Sequence, residues 1–306
     1  MSKGILIIGY IGDSTIRHVL EITQAADVEF SFLHLGDYYS NGYLRHSSSG
    51  ESRRTMVRAA GVSYRISEFS GIYQRLLLPN PSHVGKYQWP KTMSRFVGLS
   101  AVLQSTQVNT INRPLCGWEN MSKPLQSYFL RQKGFTVPLS LTTSIVSDYK
   151  KFRQHGETIY KSNSGVRSIV DNVEKVENER LQFLENCPVL FQRRIVGKDV
   201  RIHVVEDSVF AVEIESDAID YRYYRTKGTY SHMRACESAP QWIMDLCRSY
   251  AQERGVVLAG FDFKVDDLGN WYCLEMNPSP GFESYDVVLE GRIGKRVLEF
   301  LLGQSL

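Results

Sequence analysis

Two alternating runs near the carboxyl end constrain this chain more than any other feature. Ala-Gly-Phe-Asp-Phe-Lys-Val (residues 259–265) and Trp-Tyr-Cys-Leu-Glu-Met-Asn (271–277) flank Asp-Asp-Leu-Gly-Asn, a pattern that predicts a β-hairpin. Strand side chains change face at every residue, so Phe261, Phe263 and Val265 are expected to meet Tyr272, Leu274 and Met276 on one apolar face. Asp262, Glu275 and Asn277 then collect on the opposite face. Pairing about the turn brings Asp262 roughly opposite residues 273–275, and a set of hard oxygen donors without His or Cys suits Mg²⁺ better than zinc. A polar face that is merely solvated is the competing reading of the spacing. The Asn-Pro-Ser-Pro-Gly run at 277–281 favours a built site, because two prolines and a glycine fix the strand end.

The chain is long enough to surround such a hairpin, since 306 residues correspond to about two domains, or three small ones. A composition of 42% hydrophobic and 23% charged residues, without repeats, argues for a globular chain and against disorder or a solenoid. Apolar runs such as residues 5–8 and 256–258 fall far short of the roughly 18 residues of a membrane span, and residues 1–3 lead into a strand instead of a signal-peptide core. The expected setting is cytoplasmic, with no membrane partner. Five cysteines, odd in number, widely spaced and without Cys-x-x-Cys, argue against a disulfide framework and a zinc site. A net charge of +3 is too slight to imply bulk nucleic-acid binding.

Residues 3–9, 14–24 and 28–33 read as strand, helix and strand, the βαβ start of a parallel sheet. The Gly9-Tyr-Ile-Gly12 turn lacks the G-x-G-x-x-G spacing of a dinucleotide site, so a plain turn is expected, and residues 38–52 read as a surface loop. A helix at 89–104 and a strand at 108–112 complete the first domain. Next come a helix at 120–133 with Leu125, Tyr128 and Phe129 inward and Gly134 as its stop, a short strand at 135–138, and a helix at 144–155. Strands follow near 158–161, 189–192, 201–205 and 209–216. Pro240 opens a helix that Gly255 ends, and one last helix is expected at about 286–302.

Other segments carry weaker chemistry. Ile-Tyr-Lys-Ser-Asn-Ser-Gly-Val-Arg-Ser (159–168) is a strand ending in a small polar loop whose N–H groups could surround phosphate oxygens, with Lys161 neutralising charge, although no P-loop motif is present. Lys123 is uninformative alone. Residues 191–201 and 220–227 concentrate Arg and Lys, the second set among tyrosines, and such clusters could bind nucleic acid or an acidic peptide. No RNA-binding motif accompanies them, and plain surface charge is the alternative.

Taken in order, Lys123, Lys161 with its Ser/Gly loop, Gln192, Arg201, Asp262 and Glu275-x-Asn277 resemble the ATP-grasp ligases over residues 120–281. The fuller wording looks like the graspetide synthetases, microviridin-type macrocyclases that cross-link side chains of a ribosomal precursor peptide. It comprises Asn112-Arg-Pro, Ser122-Lys-Pro-Leu, Tyr160-Lys-Ser-Asn-Ser-Gly-Val-Arg-Ser168, Gly197-x-Asp199-x-Arg201, Asp220-Tyr-Arg222 and Leu274-Glu-x-Asn-Pro278. Among them, the chain resembles the plesiocin-type ester-forming enzymes.

The resemblance implies an ATP-grasp fold of α/β and α+β class. Its parts would be an N-terminal parallel-sheet α/β domain (1–115), a small central α+β domain (116–188) and a C-terminal antiparallel-sheet domain (189–306). Lys123 and Lys161 would contact the ATP phosphates, and the 162–168 loop with Ser164 and Gly165 would cover them. Gln192, Arg193, Arg194 and Ile195 would form the hinge along the adenine, and Asp262, Glu275 and Asn277 would hold Mg²⁺. Arg201 would stabilise the transferred phosphoryl group, and Arg222 would grip the acceptor carboxylate. The hinge departs from the family in lacking an acidic residue near its second place, for which Asp199 is the compensating candidate.

The implied enzyme uses ATP to activate Glu or Asp carboxylates and joins them to Thr or Ser hydroxyls or Lys amines, releasing ADP and phosphate. Its partner would be a precursor peptide with a leader and an acidic, Thr/Glu-rich core, and it would form a homodimer. His203 and Asp262 both remain open as the base. Two alternatives stand beside it: a ligase adding free amino acids to a protein or small molecule, and a nucleotide-binding module without catalysis.

Overall fold

The computed structural model describes residues 4–46, 55–79, 88–164, 171–172, 181–216 and 231–306. In chain order it contains β1 (Ile5–Gly9), α1 (Ser14–Ala25), β2 (Phe30–His34), α2 (Leu35–Asn41), β3 (Tyr43–Arg45), β4 (Met56–Ala59), β5 (Val62–Arg65), β6 (Gly71–Gln74), α3 (Trp89–Ser105) and β7 (Asn109–Ile111). Then follow α4 (Lys123–Lys133), β8 (Ser140–Thr143), α5 (Val146–Arg153), β9 (Thr158–Lys161), β10 (Asp171–Asn172), β11 (Val189–Arg193), β12 (Lys198–Val205), β13 (Ser208–Ser216) and β14 (Ser231–Ala235). The last elements are α6 (Gln241–Glu253), β15 (Leu258–Val265), β16 (Trp271–Asn277), α7 (Glu283–Val288) and α8 (Arg292–Leu302). Among the described residues no helix is long and apolar enough to cross a membrane. The chain divides into two compact units, one of Met1–Cys116, Gly255–Leu258 and Ser279–Leu306, the other of Gly117–Arg254 and Ala259–Pro278.

The first unit is built on a parallel sheet of order β2-β1-β6-β7. Its inner strand β1 is buried along its whole length, which is why the sequence there is an unbroken apolar run instead of an alternating one. Asp13 accepts the Ile16 N–H at 3.0 Å, capping α1, and pairs with Arg75 at 3.1 Å, which ties down the turn after β1. Residues 38–52 differ from the expected loop. They begin inside α2 and run into β3, because Leu35, Tyr38 and Tyr39, spaced i, i+3, i+4, are buried in the core with Leu33, Leu99 and Leu103. The strands β3, β4 and β5 form a small antiparallel sheet, and residues 47–54 lie outside the described residues. The single helix expected at 286–302 is two. Gly291 takes φ 80°, a left-handed turn that suits glycine, and the Asp286 carboxylate accepts the Ile293 and Gly294 N–H groups to restart α8.

The second unit holds two sheets, of order β10-β9-β11-β8 and β14-β13-β12-β15-β16. Strand β11, grouped by sequence with the C-terminal domain, pairs antiparallel with β8 and β9 in the smaller sheet. Gly134 ends α4 at φ 108° as expected. The face of α4 is not the expected one, for Tyr128 is exposed while Gln126 and Leu130 are buried. The reason is polar: the Gln126 amide donates to Met276 O at 2.7 Å and accepts the Met276 N–H at 3.1 Å, satisfying the backbone of the edge strand β16. Residues 135–138 are not a strand. Phe135 stacks on Phe261 at 5.8 Å, and Thr136 O accepts the Cys273 N–H at 2.8 Å, again closing the β16 edge. Helix α6 lays Ile243, Cys247 and Tyr250 inward, with Tyr250 edge-on to Phe261. Each such buried ring contributes about 1.5–3 kcal/mol, so the apolar face anchors the hairpin and the opposite face is released for chemistry.

Candidate active site

The hairpin register sets the site. Asp262 lies opposite Glu275, Phe261 opposite Met276 and Gly260 opposite Asn277, so two carboxylates and an amide share one face of neighbouring strands. Toward the turn the register shifts and Phe263 faces Cys273, leaving Leu274 as an extra residue on β16. This bulge corrects the expected apolar face. Trp271, Cys273 and Met276 are buried, whereas Tyr272 and Leu274 are only half-buried, because two residues opposite one reverse the alternation. Burial pushes the Cys273 thiol well above its usual range, and the charges of Asp262 and Glu275 push it the same way. Cys273 is therefore an inert thiol beneath two anions.

Strand β12 supplies the cation. Arg201 Nη1 donates to Asp262 Oδ1 at 2.6 Å, a short charge-assisted bond between largely buried groups, and Nε reaches toward His203 Nε2 at 3.5 Å. Two residues along, Lys264 Nζ pairs with Asp199 Oδ2 at 2.8 Å and donates to Gly197 O at 3.3 Å. Asp199, proposed for the nucleotide, thus lies in an ion pair with its cross-strand neighbour.

The two lysines are held on the second unit's other elements. Lys161 ends β9, and its ammonium donates to Gln192 Oε1 at 3.0 Å. Gln192 on β11 is buried, so among the hinge residues it is a holder of Lys161. Lys123 opens α4. Its backbone N–H donates to Asn163 O at 2.9 Å and its ammonium to Ser164 O, while Ser122 and Ser164 form a bridge. Asn163 Nδ2 in turn donates to Pro188 O at 2.7 Å, tying the loop to the entry of β11. The structure thereby joins Lys123 with Ser164, Lys161 with Gln192, and Arg201 with Asp262 and the hairpin. Arg193 is exposed, Arg194 pairs with Glu157 at 2.9 Å, and Ile195 is half-buried. Gly165 and Arg222, with the 220–227 cluster, lie outside the described residues.

Among the described residues no three His, Cys, Asp or Glu side chains cluster as a metal site. The candidate set has two carboxylates and one amide, and that donor chemistry fits a hard cation held jointly with phosphate oxygens. Sequence reasoning missed Gln126, Lys264 and Gly260. The glycine two places before Asp262 and the amide within a helical apolar stripe were the available signals.

No family model matches the chain. The D-alanine–D-alanine ligase of Francisella tularensis subsp. novicida (strain U112) is 28% identical over 131 residues, 40% of this chain and 44% of that protein. The match therefore spans less than half the length of such curated relatives. Structural likeness covers nearly the whole chain, which has the ATP-grasp fold. Macrocyclase MdnC bound with precursor peptide MdnA, from Microcystis aeruginosa MRC, superposes at TM-score 0.81 with 19% identity, covering 98% of this chain and 99% of that one. ATP-grasp ligase PsnB, complexed with a phosphomimetic variant of its minimal precursor, Mg and ADP, reaches 0.80 with 24% identity and 98% of both chains. D-alanyl-alanine synthetase A from Vibrio cholerae O1 biovar eltor, at 99% of both chains, reaches 0.63 with 12% identity.

Proposed function

We propose that this protein is an ATP-dependent graspetide-type ligase that joins side chains within a peptide. It activates Glu or Asp carboxylates and passes them to Thr or Ser hydroxyls, or to Lys amines, with release of ADP and phosphate. The observation that carries this reading is the contrast in likeness at equal coverage, 0.80 and 0.81 for the peptide-bound ligases against 0.63 for the dipeptide-forming enzyme. The partner is then a precursor peptide with a leader and an acidic Thr/Glu-rich core. A homodimer and a cytoplasmic setting belong to the same reading, as does the three-part division at residues 115 and 188.

A carboxylate is a poor acyl donor because oxide leaves badly, and its phosphorylation creates a good leaving group. The chain's residues divide that task. Lys123 and Lys161 bind the phosphates, with Gln192 fixing the Lys161 ammonium and Ser164 and Gly165 belonging to the covering loop. Arg193, Arg194 and Ile195 line the adenine. Asp262, Glu275 and Asn277 hold Mg²⁺, which when bound neutralises phosphate charge. Arg201, fixed by Asp262, meets the charge that grows on the moving phosphoryl group, and Arg222 grips the acceptor carboxylate.

The test is a mass measurement. The protein is incubated with ATP, Mg²⁺ and the peptide encoded by a short reading frame beside its gene, one carrying repeated Thr and Glu or Asp. Loss of one water per bond formed, matched by ADP, is the expected result. A product heavier by an amino acid would transfer the reading to a ligase that adds free amino acids, and absence of peptide-dependent ADP would leave a binding module.

A further inference from the structure

Strand β15 passes directly beneath Arg201, and the residue at the crossing is Gly260. A Cβ built there would lie 2.0 Å from Arg201 Nη2, 2.5 Å from Cζ and 2.8 Å from Nε. All three nearest atoms belong to the guanidinium, so that group lies flat against the bare backbone. The backbone of Gly260 is not left-handed, and its neighbours Ala259 and Phe261 are ordinary strand residues. What the position excludes is the volume of a methyl group. Arg201 is 5% exposed, and two residues further along β15 its guanidinium meets Asp262 at 2.6 Å.

We propose that Gly260 is a positioning residue for Arg201, leaving the space in which the guanidinium lies flat and bonds Asp262. The proposal rests on the ligase reading of the site. The obstructed group is the end of a long side chain, so Gly260→Ala is accommodated by moving the guanidinium and not the sheet. A displaced head loses the geometry of its 2.6 Å bond, and misplacement of about 1 Å at a reacting centre costs roughly a hundredfold in rate.

Two measurements on the full-length protein test this. The ¹⁵N spectrum contains the Arg201 Nε–H resonance, assigned by its loss in Arg201→Lys. In Gly260→Ala it should shift and exchange faster, with melting within a few degrees of wild type. Peptide-dependent ADP release should fall by about tenfold to a hundredfold. Binding of Mg²⁺ and a non-hydrolysable ATP analogue should change less than about twofold. In the Arg201→Lys background, which lacks the planar head, Gly260→Ala should add less than about twofold. An unmoved resonance, or a loss that multiplies in full in the lysine background, overturns the proposal, since the glycine would then serve only the sheet. A resonance that moves in a protein whose wild type forms no ADP supports the positioning role and removes the ligase reading.

Discussion

The carboxylates around α1 and α7 in the first unit and the hairpin pair in the second are held in opposite ways. In the first, Glu283 accepts from Ser14 Oγ at 2.6 Å and Thr15 Oγ1 at 2.9 Å, Asp13 caps α1 and pairs with Arg75, and Asp286 takes two backbone N–H groups and His18 Nε2 at 2.8 Å. Each anion there answers to hydroxyls, amides or cations of its own unit. In the second, Asp262 and Glu275 stand opposite one another across a β-ladder, with Arg201 bonded to Asp262. Like charges directly opposite oppose folding, whereas capped ones support it. The first arrangement serves stability by itself, whereas the second is the one the proposed Mg²⁺ would offset.

The comparison breaks most sharply at Glu275. Glu275→Gln keeps size and removes one of two facing charges, and melting is expected within a few degrees of wild type. Peptide-dependent ADP formation should fall by about a thousandfold, the equivalent of the several kcal/mol a metal supplies to phosphoryl transfer. Asp262→Asn should lose as much activity and also melt lower, because it strips Arg201 of its buried anion. Near wild-type turnover in Glu275→Gln would remove the hairpin from the chemistry.

The first unit should respond in the opposite currency. Burial would raise the Glu283 carboxyl, yet hydrogen bonds from Ser14, its own N–H and Thr15, with the Arg75 charge, hold it below the usual carboxylate range. A depressed value means that the stabilisation is present at neutral pH and is lost as pH falls through the lowered value. Glu283→Gln is expected to cost about 1–2 kcal/mol at pH 7 by denaturant unfolding, and the two proteins should converge in acid. A constant difference across that range would show that the carboxylate charge is not what stabilises α1.

What could be read beforehand follows from whether a signal is local. The hairpin was legible because period two and a Gly-Asn turn are properties of neighbouring residues, and they place Asp262 roughly opposite residues 273–275; the pairing with Glu275 itself depends on the bulge. The bulge at Leu274 was not, since an unpaired residue leaves the alternating sequence looking regular. Arg201 and Asp262 stand 61 positions apart, and only the adjacency of β12 and β15 brings them together. The same holds for Gly260, whose role exists only under a side chain from another strand. Gln126 misled the reading of α4, because a buried amide serving β16 occupies the inward position that an apolar residue was expected to fill. Gly291 was visible, yet Val288, Ile293 and Val297 sustained an apolar spacing across it, and the split became plain only with Asp286 capping the second helix.

The smallest expected effect asks whether a satisfied contact in the second unit serves stability or binding. Gln192 is 3% exposed and its Oε1 accepts from Lys161 Nζ at 3.0 Å, so it resembles the capped anions of the first unit more than the facing ones of the second. Gln192→Leu keeps a similar volume on β11 and withdraws the amide, with it the acceptor for Lys161. A hydrogen bond to a charged donor in such a place contributes about 1–2 kcal/mol. If its purpose is to aim the ammonium at phosphate, that contribution appears as roughly five- to thirtyfold weaker binding of Mg²⁺-ATP, read by calorimetry, with little change in melting. If the contact serves the sheet, melting falls and the affinity of the folded protein stays, which would place Lys161 outside the nucleotide site and leave Lys123 to bind the phosphates without it.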